Sequence, residues 1–447
     1  MVDTQSAPKL EALAPKLHRL FELSAAKIRS IEQSWAPASG APVFTVGGKY
    51  TSRGWTEWTQ GFQFGSAILQ FDATGDAELL EIGRRRTVDL MAPHVSHIGV
   101  HDHGFNNVST YGNLLRLMVE GRIPENAWER RFYEMALKVS GAVQAARWSR
   151  TSDGGGYIYS FNGPHSLFVD TLRTLRAPAV SHLLGHVLMS ENDKKINLLD
   201  RVAQHARATA KYAVWYGEGR DAYDVRGRTA HECIFNINDG NFRCPSSQQG
   251  YSPFSTWTRG LAWAMCGFAE LLELFDTLTG PAPEHAETIA IMEKAARATC
   301  DFYIANTPPD GIPYWDTGAP GLAALGDWSG APADPYNPHE PVDSSAAAIG
   351  AQGLLRLGRR LKDDRYFQSG LRVANTLFAE PYLSADPNHQ GLMLHSVYHR
   401  PNGWDAIPPG ARVPAGESCM WGDYHARELG LYLLRLVEGK PYLKFWS

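Results

Sequence analysis

The sequence predicts an all-α fold, a six-hairpin (α/α)6 barrel, on three observations. Strand-like alternation flanked by tight turns is nearly absent from the 447 residues. An apolar helical segment that ends in a small or charged turn, followed by a second amphipathic helix, recurs six times. Long loops rich in Gly, Pro and polar residues lie between the helices, which favours a closed barrel with a pocket on one face over an open solenoid with short connections.

The six endings follow in order. Ala67-Ile68-Leu69-Gln70 precedes Thr74-Gly75-Asp76, and Leu114-Leu115-Arg116-Leu117 precedes Glu120-Gly121. Leu183-Leu184-Gly185-His186-Val187 precedes Asn192-Asp193, and Leu271-Leu272-Glu273-Leu274 precedes Thr277-Leu278-Thr279-Gly280. Leu354-Leu355-Arg356-Leu357 precedes Lys362-Asp363-Asp364, and Leu431-Tyr432-Leu433-Leu434 precedes Glu438-Gly439. The Gly, Asp and Asn residues stop one helix and cap the next, as where Gly75 and Asp363 open new amphipathic runs. The loops run from Val43 to Trp58, Thr151 to Pro164, Val225 to Phe254, Pro308 to Pro341 and Ala385 to Ser418. No linker divides the chain, so residues 1–447 are expected to form one domain, with a short mobile extension from Met1 to about Ala7.

Composition narrows the function. The formal net charge of -4 and the scattered basic residues, Arg84-Arg85-Arg86 apart, provide no footprint for nucleic acid or an anionic membrane. Cys233, Cys244, Cys266, Cys300 and Cys419 include no close-spaced pair, which fits reduced thiols. The polar stretch from Met1 to Lys9 lacks the apolar core of a signal peptide, and no run approaches the roughly 18 apolar residues of a membrane span. The expectation is a cytoplasmic monomer or homodimer acting on a small substrate.

Thirteen tryptophans exceed the usual share. Trp55, Trp58, Trp257, Trp263, Trp315, Trp328, Trp404 and Trp421 sit in polar or Gly-rich neighbourhoods, where indoles suit the stacking of sugar rings as well as core packing. Two aspartates stand out against them. Asp102, within His101-Asp102-His103-Gly104-Phe105, and Asp170, within Leu167-Phe168-Val169-Asp170-Thr171, each fall where an inner helix begins. Desolvation there is expected to raise both pKa values toward the range useful for proton transfer, the competing role being a helix N-cap. A His-X-His pair also suits a metal, but no further ligand cluster accompanies it, so no metal or cofactor is expected. His101 and His103 then hold Asp102 or bind substrate. Trp263 lies four residues beyond Arg259 on one helix face, offering a stacking wall and a fork for a carboxylate, or a structural ion pair. Asp343-Ser344-Ser345 reads as a cap, while Trp421-Gly422-Asp423-Tyr424 and Tyr398-His399 are candidate pocket walls.

These runs resemble the unsaturated glucuronyl hydrolases, glycoside hydrolase family 88. The resemblance is carried by Trp58-Thr59-Gln60-Gly61-Phe62, by the Asp102 motif, and by Gln249-Gly250 through Ser255-Thr256-Trp257-Thr258-Arg259-Gly260. Pro313-Tyr314-Trp315-Asp316, Asp343-Ser344-Ser345-Ala346-Ala347 and Trp421-Gly422-Asp423-Tyr424 complete it, from about residue 55 to the C-terminus. It implies the same six-hairpin barrel, with Asp170 as general acid/base, Asp102 as a second essential aspartate, and His101, Arg259, Trp263 and Tyr398 in the pocket. It also implies a reaction without metal. A proton is added at C4 of a 4,5-unsaturated uronic acid, water adds at C5, and the hemiketal opens to release the aglycone.

The chain departs from the family pattern at Gln63, Gln248, Leu261 and Phe161, in an insert from Pro401 to Gly416, and at His103, where an apolar residue is usual. Gln248 and His103 are therefore expected to shape substrate binding. The alternatives are an unsaturated rhamnogalacturonyl hydrolase, a related glycosidase of altered specificity, a sugar epimerase working with paired histidines, and a barrel that only binds glycans.

Overall fold

The computed structural model describes residues 1–54, 57–278 and 283–446, so Trp55 and the Thr279-Gly280 turn lie outside the described residues. Six outer helices, Ala14–Ser34, Ala77–Leu90, Ala127–Ala146, Leu198–Tyr212, Pro283–Ala305 and Asp364–Leu377, alternate with six inner ones. The inner helices are Gln60–Thr74, 103–119, 171–183, Thr258–Thr277, Ser344–Leu361 and Met420–Val437. Neighbouring inner helices pack side by side, and Met420–Val437 returns onto Gln60–Thr74, which closes the ring. The all-α barrel expected from the repeats is the fold observed.

The two layers differ for a simple reason. Thr258–Thr277 is buried at every position from 258 to 275, because an inner helix meets protein on all sides. An outer helix such as Asp364–Leu377 buries one stripe and exposes the other face. At two of the crossings from inner to outer helix the chain turns tightly. Gly75 takes φ 75° and the Asp76 side chain then accepts from Glu78 N, while Lys362 takes φ 54° ahead of the Asp363 cap on Arg365 N. From outer to inner helix the connections are long, and they gather at the end of the barrel where the inner helices start. Among the described residues nine strands of two to five residues lie in the connections, too short to register as alternation in the sequence.

Below that mouth the bore is filled by charge. Glu428 pairs with Arg173 at 2.9 Å and Arg176 at 3.3 Å, while Arg173 also meets Glu270 at 2.9 Å and Arg356 meets Glu273 at 2.7 Å. All six side chains are buried and come from four different inner helices, so the pairing is satisfied in one arrangement of the ring. The segment Met1 to Ala7, expected to be mobile, is instead docked. Val2 is buried and donates to Ile304 O at 2.9 Å, and Asp3 N donates to Pro309 O at 3.0 Å. An apolar side chain and two backbone bonds outweigh the usual freedom of a terminus.

Candidate active site

Each aspartate precedes a one-turn helix, His103–Asn106 or Thr171–Thr174, that opens an inner helix. The glycine of the Asp102 motif explains how they meet. A Cβ on Gly104 would lie 2.3 Å from Thr174 O, so only glycine lets these two backbones touch. Gly104→Ala is expected to cost about 1–3 kcal/mol by overpacking and to lower kcat by about a hundredfold through displacement of the two carboxylates. Urea unfolding midpoints and steady-state kinetics on the same preparation check both effects. An unchanged kcat would mean the helix contact does not set the catalytic geometry.

His101 joins the pair. Its Nε2 lies 3.0 Å from Asp170 Oδ1 and 3.8 Å from Asp102 Oδ1. Neither carboxylate caps its helix, in contrast to Asp343, which accepts from Ser345 N and Ala346 N. Burial pushes the Asp102 carboxyl up, His101 offsets this only in part, and nearby Asp170 adds to the rise. For Asp170 the expected rise is reversed. Burial pushes it up, but the hydrogen bond and charge of His101 outweigh burial and hold it below its ordinary value. Burial alone would lower His101, yet Asp102 and Asp170 together raise it. Two carboxylates in similar surroundings are thus driven apart by which one the imidazole bonds.

The three groups lie in a cavity of about 280 Å³, near the lower end for small-molecule sites and suited to a single sugar ring. Of the residues singled out from the sequence, Asp102, Asp170, His101, Gln248, Arg259, Trp263 and Tyr398 line it. His103 does not. Its Nδ1 bonds Ser140 Oγ at 2.9 Å, its Nε2 bonds His97 O at 2.9 Å, and burial lowers its pKa to about 4. It is a neutral core histidine that anchors the 97–100 segment rather than a substrate ligand.

Arg259 is also not an open fork. It pairs with Asp343 at 3.0 Å, donates to Gln249 Oε1 and Tyr398 O at 2.8 Å each, and bonds Val397 O. With Trp257 and Trp421 rings beside its guanidinium, it braces the Tyr398 loop against the cavity. Trp421 lies behind Trp58 at 4.9 Å between ring centroids and is absent from the wall, whereas Tyr398 and His399 both line it. Asp423 holds Tyr50, Leu392 and Met393 in the core. Of the five single-residue departures, Gln248 and Phe161 reach the cavity, and Gln63, Leu261 and His103 do not.

Sequence reasoning missed the 97–100 segment, of which His97, Gly99 and Val100 line the cavity. The histidine density of His94, His97, His101 and His103 was its only signal. Arg147 fastens it, donating to Ile98 O while also bonding Tyr159 O at 3.1 Å and Ser160 O at 2.6 Å. His231 was missed as well. It is buried against Phe168 and Trp257, and its Nδ1 accepts from Gln248 N at 3.0 Å and Gln249 N at 3.3 Å, fixing the turn that carries both glutamines. Among the described residues no group of three or more His, Cys, Asp or Glu is arranged to hold a metal ion, and no helix is long and apolar enough to cross a membrane.

A closed α/α barrel with bridged carboxylates in an aromatic-lined cavity has the architecture of a carbohydrate-active hydrolase. No family profile matches the chain. It is 25% identical over 376 residues to an unsaturated glucuronyl hydrolase of Formosa agariphila, covering 83% of this chain and 78% of the relative. It is 26% identical over 407 residues to the unsaturated glucuronyl hydrolase of Bacillus sp. (strain GL1), covering 88% and 90%. The crystal structure of unsaturated glucuronyl hydrolase from Bacillus sp. GL1 superposes with a TM-score of 0.69 at 22% identity, over 95% of this chain and 97% of that one. The resemblance read from the motifs is borne out: the chain is a glycoside hydrolase similar to unsaturated glucuronyl hydrolases over more than four fifths of its length.

Proposed function

We propose that the protein hydrolyses unsaturated uronyl oligosaccharides left by polysaccharide lyases, acting in the cytoplasm as a monomer or homodimer. The observation that carries this reading is the Asp170–His101–Asp102 array in a cavity sized for one ring. In the free enzyme the depressed Asp170 is ionised and the exchangeable proton rests on His101. A bound uronate expels water and adds a negative charge, and both effects push the Asp170 carboxyl up. The proton crosses the 3.0 Å bond from His101 Nε2 to Asp170, which delivers it to C4 of the C4=C5 double bond. Positive charge then develops at C5, where the buried carboxylates stabilise it. Water adds at C5 and returns its proton to Asp170, so the acid is restored. The hemiketal opens and the aglycone leaves. Because one residue serves as acid and then base, the carboxylate spacing of ordinary glycosidases does not apply.

Incubation with a panel of lyase-generated unsaturated disaccharides, glucuronyl and rhamnogalacturonyl, tests the reading. Loss of the absorbance of the conjugated double bond is expected for at least one substrate, and its persistence across the panel would refute it. The pH profile adds a second check, since kcat/KM reports groups of the free enzyme. His101 must be protonated, so the rate falls as pH rises through its raised pKa, and the alkaline limb is expected above the ordinary histidine value of 6.5. A limb well below that value would remove His101 from the proton path.

A further inference from the structure

The ring closes where Met420–Val437 returns onto Gln60–Thr74, and a buried cation at that seam lacks a counter-charge. Arg173, Arg259, Arg356 and Arg427 have fully buried side chains. The first three each meet a carboxylate: Glu270 at 2.9 Å, Asp343 at 3.0 Å and Glu273 at 2.7 Å, respectively. Arg427 forms no ion pair among the described residues. Its Nε donates to Ser24 Oγ at 2.7 Å and its Nη1 to Ser66 Oγ at 3.1 Å, while its Nη2 is buried and finds no acceptor among them. A second buried cation, Lys27, is held by Ser384 Oγ and the carbonyls of Asp386 and His389. Asp423 is turned onto Tyr50 and the amides of Leu392 and Met393. Its charge offsets only in part the burial that lowers the pKa of both cations.

Arg427 lines a cavity of about 20 Å³, room for one body about the size of a water molecule. Ser66 and Gln63 line it too, and what they have left to offer is donors. Ser66 Oγ already accepts from Arg427, which leaves its hydroxyl hydrogen, and Gln63 Oε1 accepts from Gln60 Nε2 at 2.6 Å, which leaves its amide nitrogen. Glu32, on the same wall, is matched by Arg85 at 3.1 Å and Arg86 at 2.6 Å. Ile28 and Ala67 of the lining belong to a small apolar cluster separate from the main core. A water molecule among donors uses only its two lone pairs and cancels no charge. A monovalent anion accepts from Arg427 Nη2, Ser66 and Gln63 together and neutralises the guanidinium.

We infer that this cavity binds a monovalent anion of halide size, such as chloride, and that the ion fastens the closing seam of the barrel. Urea unfolding of the full chain, followed as sodium chloride replaces sodium isethionate at constant ionic strength, tests it with screening held fixed. Chloride is expected to stabilise the fold saturably, the unfolding constant falling about tenfold at ten times the dissociation constant. Arg427→Met is expected to abolish the dependence. Gln63→Leu, at a partly exposed position that leaves the guanidinium in place, carries the test if Arg427→Met does not fold. It is expected to need about tenfold more chloride for half of the effect, the scale of one hydrogen bond to a charged group. Crystals grown in sodium bromide are expected to show an anomalous peak within hydrogen-bonding reach of Arg427 Nη2. Equal midpoints in the two salts, or a chloride effect that rises without saturating, would mean that the cavity takes water and would overturn the inference. So would an unchanged half-effect in Gln63→Leu, or bromide absent from the cavity.

Discussion

Asp170→Asn is expected to lower kcat by about a thousandfold or more while leaving the urea unfolding midpoint nearly unchanged. Asparagine matches the volume of aspartate and still reaches His101 across the 3.0 Å contact, so the buried packing survives. It has no proton of suitable acidity to place on C4 and cannot take one from water. The other members of the array fail differently. Asp102→Asn removes the leading influence that raises His101, so the alkaline limb of kcat/KM is expected to move to lower pH with a smaller loss of kcat. The His101→Gln, Asp170→Asn double variant is expected to lose little beyond the worse single one, because residues acting as a unit are strongly non-additive. Single-turnover decay of the double bond, followed from acid to alkaline pH for each variant, separates these outcomes. A greater loss in Asp102→Asn than in Asp170→Asn would exchange the two assignments.

Glu428→Ala is expected to cost about 3–5 kcal/mol of stability, the range for stranding partners of a buried ion pair. Its carboxylate is the common acceptor of Arg173 and Arg176, and no solvent reaches the bore to replace it. Burial pushes the Glu428 carboxyl up, but the two arginines outweigh it and hold it well below the usual carboxylate range. The sign of the pH effect follows. A depressed folded-state pKa contributes stability in full above the unfolded value, near 4.3, and that contribution is lost as pH falls through the folded value. Glu428→Gln, which keeps the shape, should therefore narrow the gap to the unaltered protein as the solution is acidified below pH 4.3. Urea unfolding at neutral and acid pH measures the gap, and a constant gap would mean that the charge of Glu428 is not what stabilises the bore. The same substitution bears on the site, because His425 lies 3.8 Å from Glu428 and its ring packs on Trp263 at 5.0 Å.

Much of this was legible in the chain itself. The endings from Gln70 to Leu434 each mark the close of an inner helix, because a helix buried on all sides needs a continuous apolar run and a turn to leave the ring. Asp102 and Asp170 were legible as carboxylates placed where inner helices start. Local reasoning could not tell which would be depressed, since that depends on a 3.0 Å contact between residues 69 apart in sequence. His103 misled for the same reason. A histidine beside a catalytic-looking aspartate reads as a ligand, and only Ser140 and the His97 carbonyl, brought in by neighbouring elements, show it to be a satisfied core group.

The sequence by itself determined the number of hairpins, the mouth at which the loops collect and the two aspartates proposed to carry the proton chemistry. Apolar periodicity, turn residues and carboxylates at helix starts are local properties, readable without neighbours. Only the tertiary structure decided that Arg259 is closed by Asp343, that His97 to Val100 form a wall, and that the loop after His399 brings Trp404 to the cavity. Partner choice, solvent exclusion and the sign of a pKa shift are set by groups that meet only when the ring closes.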